Sequence, residues 1–247
     1  MIKRKEYLGV PGPTPIPTRI LNAMNQPIIY HRSQEFGKII SETIENGRKI
    51  FKTEGEILIF AASGIGVMEA TIVNTISPGE KILVLVNGKF GEIFAEIAQR
   101  FEAKVEILNF KWGETIDINF FEKYLKNNRG IKALFVIHCE TSTGVVNNIE
   151  KIGKICAKYG VLSVVDAISS LGGIEVSMDA WGIDFILGAS QKALMTPPGL
   201  GLVAINPKSW QVVEKSINSR YYWDFRLYRE FQTKSPKQKH LLLLLFL

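Results

Sequence analysis

From residue 56 onward the chain alternates short, unbroken apolar runs with segments of helical spacing, and few folds accept that pattern. The runs are Ile57 to Phe60, Lys81 to Val86, Val105 to Leu108, Ala133 to Ile137 and Leu162 to Val165, followed by Asp184 to Leu187 and Leu200 to Ile205. Apart from Lys81, Glu106, Ser163 and Asp184 they are apolar and do not alternate, so both faces of most strands must be covered. Between them, Phe90, Ile93, Phe94, Ile97, Ala98 and Phe101 share one helical face, and Ile149, Ile152, Ile155, Cys156 and Tyr159 share another. Gly160 closes the second as a C-cap. Upstream, Ser33 is placed to cap a helix whose Phe36, Ile39, Ile40, Ile44 and Phe51 are predicted to form one buried stripe. The pattern predicts a mostly parallel sheet with helices on both sides.

The chain has 247 residues and is 46% hydrophobic, enough for one large domain or two small ones. Its net charge of +6 is concentrated late: Lys208 to Lys239 holds eight Lys or Arg against three acids. No interleaved basic and aromatic stripe accompanies them, so a solvated helix face and tail are expected rather than a nucleic-acid surface. Cys139 and Cys156 lack metal or redox spacing, which suits a reducing cytoplasm and predicts no metal centre. The first residues contain no apolar secretion core, and Leu241 to Leu247 is too short to cross a bilayer, so no membrane partner is expected.

Ligands of such sheets sit beyond the carboxyl ends of the strands, so the residues just after each run matter most. Lys192 lies between two runs, in Gly188-Ala-Ser-Gln-Lys-Ala-Leu-Met-Thr-Pro-Pro-Gly199. A loop lysine is ordinarily solvated; held between buried strands it is disfavoured as a cation, and its amine can attack a carbonyl. Asp166 directly follows a buried run, where a carboxylate is costly unless it meets a cation or caps a helix. Ser63 and Gly64 open a helix whose free N–H groups suit a phosphate, although a plain turn reads the same way. The Gly64-Ile65-Gly66 sequence is no dinucleotide fingerprint, because Glu69 stands where the third glycine belongs. Phe90 could lie against an aromatic ligand or fill the core. His138 heads a polar cluster and reads as a hydrogen-bonded core group rather than a catalyst. Residues 8–18, with Gly9, Gly12 and four prolines, form an extended arm.

A lysine, a carboxylate, a phosphate turn and an aromatic at one sheet edge are the parts a pyridoxal phosphate enzyme uses. The chain resembles the class V aminotransferases of fold type I, and within them the alanine–glyoxylate and serine–pyruvate group. The resemblance is carried by Gly12-Pro-Thr-Pro-Ile-Pro17, Ser63-Gly64, Asn87-Gly-Lys-Phe-Gly91, Glu140-Thr-Ser-Thr-Gly-Val145, Val165-Asp-Ala-Ile-Ser-Ser-Leu-Gly-Gly173 and Gly188-Ala-Ser-Gln-Lys-Ala193. It implies a three-layer α/β/α fold with a mostly parallel seven-stranded sheet, an arm over 1–18 and a cofactor-binding large domain over 19–235. It implies that Lys192 bonds the aldehyde of pyridoxal 5'-phosphate as a Schiff base and later moves the substrate proton, and that Asp166 pairs with the ring nitrogen. Ser63, Gly64, Ile65 and Gln191 would face the phosphate, and Thr141 the phenolic oxygen. Phe90 and Ile168 would pack on the two ring faces. Relatives often carry histidine at position 65 and tryptophan at position 90, so here the backbone must replace one phosphate contact. Gln191 stands where the related desulfurases carry histidine, which favours transamination between a small amino acid (alanine or serine) and a 2-oxo acid (glyoxylate or pyruvate), in a homodimer.

The family pattern continues into a smaller domain bearing an arginine for the substrate carboxylate, and that domain is expected to be missing here. Residues 236–247, with five consecutive leucines, read as an aberrant tail of the kind a shifted reading frame produces. The alternative expectation is therefore a remnant that binds the cofactor or a partner chain without turnover.

Overall fold

The computed structural model describes residues 8–233; the first seven residues and the predicted aberrant tail at 236–247 lie outside them. The elements in chain order are α1 (Thr18–Met24), α2 (Gln34–Phe51), β1 (Glu56–Ala61), α3 (Gly64–Thr75), β2 (Lys81–Val86), α4 (Lys89–Arg100), β3 (Lys104–Asn109) and α5 (Ile118–Asn127). They continue with β4 (Ala133–Ile137), β5 (Cys139–Glu140), β6 (Val145–Val146), α6 (Ile149–Tyr159), β7 (Leu162–Asp166), α7 (Met178–Trp181), β8 (Phe185–Ala189), β9 (Leu200–Ile205), α8 (Trp210–Lys215) and α9 (Phe225–Thr233).

Seven strands form one sheet in the order β1-β9-β8-β7-β4-β2-β3, and β5 and β6 make a small separate hairpin. Only β9 runs against its neighbours, pairing antiparallel with both β1 and β8. The apolar runs are continuous because each strand feeds two cores. Leu58, Phe60, Val84, Phe135 and Leu187 pack on one face with α3, α4, α8 and α9. Ile57, Ile59, Leu85, Val136 and Ile186 pack on the other with α2, α5 and α6. This is the expected three-layer arrangement. β2 has β3, its successor in sequence, on one side and β4, which follows β3, on the other, so the chain reverses its direction of travel across the sheet there. A crevice opens at such a reversal because the connections leave β2 and β4 toward opposite sides.

Two sequence expectations fail. Ser33 does cap α2, accepting the Phe36 N–H, but the predicted stripe is not buried along its length. Phe51 is fully buried, Ile40 and Ile44 only in part, and Ile39 is 42% exposed. The reason is topological: α2 packs beside the edge strand β1, which covers only the helix's last turns. The late basic segment is not simply a solvated face either. The Arg220 guanidinium is buried and donates to the carbonyls of Val213, Ser216 and Asn218. Arg226 pairs with Asp224 at 2.6 Å, and Arg229 with Glu56 at 2.8 Å. These contacts fasten α9 against Phe60, whose ring lies 4.1 Å from that of Tyr228. Among the described residues no helix is long and apolar enough to cross a membrane.

Candidate active site

The crevice is a cavity of about 190 Å³ at the carboxyl ends of β2, β4, β7 and β8. Every residue singled out for the site from the sequence lines it: Ser63, Gly64 and Ile65 from the α3 turn, Phe90 from α4, Thr141, Asp166, Ile168, and Gln191 with Lys192.

Asp166 ends β7 between Ile137 of β4 and Leu187 of β8. It is 3% exposed, and its side chain accepts one hydrogen bond, from the Ile168 N–H at 2.7 Å. Burial pushes its proton affinity up to about 7; the Ile168 N–H opposes this, the Glu140 charge adds to it and Lys192 draws it down. With one hydrogen-bond donor among the described residues, this buried carboxylate is under-satisfied.

Lys192 occupies the β8–β9 loop and is half-buried. The loop is cross-tied by Ser190, whose hydroxyl donates to the Pro197 carbonyl at 2.6 Å and whose carbonyl accepts from the Thr196 hydroxyl at 2.9 Å. The N-terminal arm lies over it. The Thr14 N–H donates to the Gln191 carbonyl at 3.0 Å, and the Thr14 hydroxyl to the Lys192 carbonyl at 2.8 Å. Gly12 touches the lysine itself: a Cβ there would stand 2.6 Å from Lys192 Cδ and 3.1 Å from Nζ, and the Gly12 φ of +156° already disfavours a side chain.

At the α3 turn, Ser63 Oγ accepts the Gly66 N–H. The N–H groups of Gly64 and Ile65 have no hydrogen-bond partner among the described residues, so the positive end of a twelve-residue helix faces the cavity. Gly64 also admits Ile168, whose Cδ1 would lie 2.7 Å from an added Cβ. The Gln191 amide oxygen is buried without a hydrogen-bond partner among the described residues. Thr141 shares a short hydrogen bond with Ser169.

Sequence reasoning missed Met68, Ile137, Cys139 and Ser169 as lining residues. Ser169 was legible in principle, three residues after Asp166 in the same strand-end turn. Behind the wall it also missed the role of Glu140, which binds the first turn of α4. His138 lies outside the lining. Its Nδ1 bonds Ser170 Oγ at 3.0 Å, and burial holds its proton affinity down to about 4, so it is the neutral core group expected.

The family profile described as Aminotransferase class-V matches residues 6–234. The chain belongs to the class-V aminotransferase family. The soluble hydrogenase 42 kDa subunit of Anabaena cylindrica is 40% identical over 94% of this chain and 61% of its own length. The L-aspartate–glyoxylate aminotransferase of Paracoccus denitrificans is 36% identical over 88% of this chain and 56% of its own. The crystal structure of alanine–glyoxylate aminotransferase from Nostoc sp. superposes with a TM-score of 0.89 at 29% identity, over 98% of this chain and 65% of that one. This class-V chain thus spans about 60% of the length of the curated relatives it matches.

Proposed function

We propose that this chain is the cofactor-binding part of a pyridoxal phosphate transaminase that moves an amino group from a small amino acid, alanine or serine, to a small 2-oxo acid, glyoxylate or pyruvate. One observation carries the reading: an under-satisfied buried carboxylate, a half-buried lysine and two unbonded helix N-terminal N–H groups share one cavity. The residues fit the cofactor, since Asp166 needs a cation such as a protonated ring nitrogen and the α3 turn needs an anion such as a phosphate. Both named aminotransferase relatives act with glyoxylate, which supports the acceptor class.

The cofactor supplies an electron sink that acidifies the substrate's α-hydrogen. The protein supplies the rest. Lys192 Nζ would hold the cofactor through its aldehyde and would serve as the base that accepts and returns the substrate's α-proton. Asp166 would face the ring nitrogen and keep it protonated. The N–H groups of Gly64 and Ile65, with Ser63 and Gln191, would hold the phosphate. Thr141, steadied by Ser169, donates toward the ring hydroxyl, and Phe90 and Ile168 orient the ring. The arm over Lys192 excludes water. A second copy of the chain would cover Leu21, Met24, Ile28 and Tyr30, all at least 49% exposed, so a homodimer is part of the reading. The two free cysteines, one buried and one on the cavity wall, fit a cytoplasmic setting.

The test is direct. Loaded with pyridoxal phosphate, the chain gains an absorbance band that borohydride fixes to Lys192, and peptide mass spectrometry locates the label. K192A carries none. A label on another lysine, or none at all, ends the reading. Loss of the band on adding alanine, serine or aspartate identifies the donor; a band that no donor changes marks a chain that binds without turnover.

A further inference from the structure

We propose that Glu140 is a positioning residue for this pocket: an anionic cap, delivered from β5, that locks the first turn of α4 and with it the Phe90 side chain. The inference rests on the cofactor reading above and deepens it.

Glu140 is fully buried, and among the described residues no lysine or arginine pairs with it. Its carboxylate is held by donors alone. The Phe90 N–H reaches Oε2 at 3.1 Å, the Gly91 N–H reaches Oε2 at 3.3 Å, and Ser142 reaches Oε1 through its N–H at 3.1 Å and its hydroxyl at 2.7 Å. Ser142 Oγ in turn accepts the Lys89 N–H at 3.0 Å. The opening N–H groups of α4 are therefore satisfied by residues about fifty positions away. An amphipathic helix normally caps itself, but here the N-cap is Gly88, which has no side chain to offer. It has none because there is no room: a Cβ on Gly88 would stand 2.2 Å from Glu140 Cγ. The glycine and the distant glutamate are one device.

The device has a direction. Phe90 lines the cavity two residues after Gly88, and Cys139 and Thr141 line it on either side of Glu140. A cap contributed by Glu140 ties the β2–α4 wall to the β4–β5 wall across the sheet's reversal point. A side-chain cap within α4 would have satisfied the same N–H groups without fixing that distance. The negative charge matches the helix N-terminus, where an anion is favoured. A neutral amide of the same shape puts a donor among donors.

The test uses the full chain with pyridoxal phosphate as probe. E140Q raises its Kd by about tenfold, the scale of one displaced aromatic contact. S142A, which keeps the carboxylate but removes the link to Lys89, raises it less. Hydrogen exchange of cofactor-free E140Q quickens at Phe90 and Gly91 while the amides of β4 and β7 stay protected, which separates a loosened turn from a failed fold. The deciding measurement is a cycle with F90A: E140Q raises the Kd by a smaller factor in the F90A background than in the unsubstituted chain if it acts through the ring. The charge effect of Glu140 on Asp166 is common to both backgrounds and cancels. Equal effects of E140Q in both backgrounds, or an unchanged Kd in E140Q, overturn the assignment. Failure of the unsubstituted chain to bind the probe instead brings down the cofactor reading, and Glu140's role with it.

Discussion

Two buried aspartates mark opposite ends of the same pair of strands. Asp184 stands just before β8 at its amino end and is 8% exposed; Asp166 closes β7 at its carboxyl end and is 3% exposed. Asp184 accepts from the Ser163 N–H at 2.9 Å, the Ser163 hydroxyl at 3.0 Å and the Ser209 hydroxyl at 2.7 Å, with Lys208 at 3.6 Å. Asp166 accepts one N–H, and burial lifts its proton affinity to about 7. The amino end satisfies its carboxylate and gains a clasp between β7, β8 and the turn before α8. The carboxyl end leaves its carboxylate wanting and gains a site. Equal burial therefore means opposite things, and the count of donors tells them apart.

The contrast can be broken most forcefully at Asp166. D166N should slow donor-driven conversion of the bound cofactor by about 10³-fold, as removal of a preorganised charge does, while the melting temperature of the cofactor-free chain stays level or rises. A large fall in melting temperature would make Asp166 structural. D184A should do the reverse. Urea unfolding should show a loss of about 3 kcal/mol, because Ser163 and Ser209 lose their acceptor, with pyridoxal phosphate affinity unchanged. Weakened binding at full stability would erase the distinction between the ends.

Acidity sharpens it further. The folded chain keeps the Asp166 proton up to about 7, whereas the unfolded chain releases it near 3.8. The folded state binds more protons in that window, so the Asp166 contribution to stability falls as pH rises through it. His138 works the other way: held to about 4 from 6.5, it costs stability as pH falls between those values. Subtracting one titration from another isolates the aspartate. The stability of cofactor-free D166N relative to the unsubstituted chain should grow by about 2 kcal/mol between about pH 5 and pH 8. Parallel curves would mean that Asp166 is ionised throughout. The smallest effect belongs to S209A, about 1 kcal/mol by urea unfolding, since Asp184 keeps its two bonds from Ser163.

Much of this was legible in the residues. Unbroken apolar runs require two covered faces, and that gave the layers and the sheet edge where Asp166 and Lys192 meet. The antiparallel course of β9 was not legible, because a fully buried strand carries the same apolar run in either direction. The partial exposure of α2 was hidden too, since its stripe is real and only its place beside an edge strand leaves Ile39 uncovered. Glu140 was missed for a different reason. Its partners lie about fifty residues away, and the only local hint is Gly88, a helix start with nothing to cap it. Arg220 departs from the solvated face because its guanidinium folds back onto the carbonyls of Val213, Ser216 and Asn218 beside Asp224, a set of partners with no sequence signature.

The hydrogen bond from Thr14 to Lys192 joins residues 178 positions apart. During synthesis the arm leaves the ribosome well before the sheet does, and its docking surface is among the last parts of the sheet to emerge. Closure of so long a loop carries a large entropic cost and must follow the pairing of β8 with β9. The lysine is thus roofed only after nearly the whole described chain has been made, and a nascent chain halted before residue 190 has a waiting arm and nothing for it to cover.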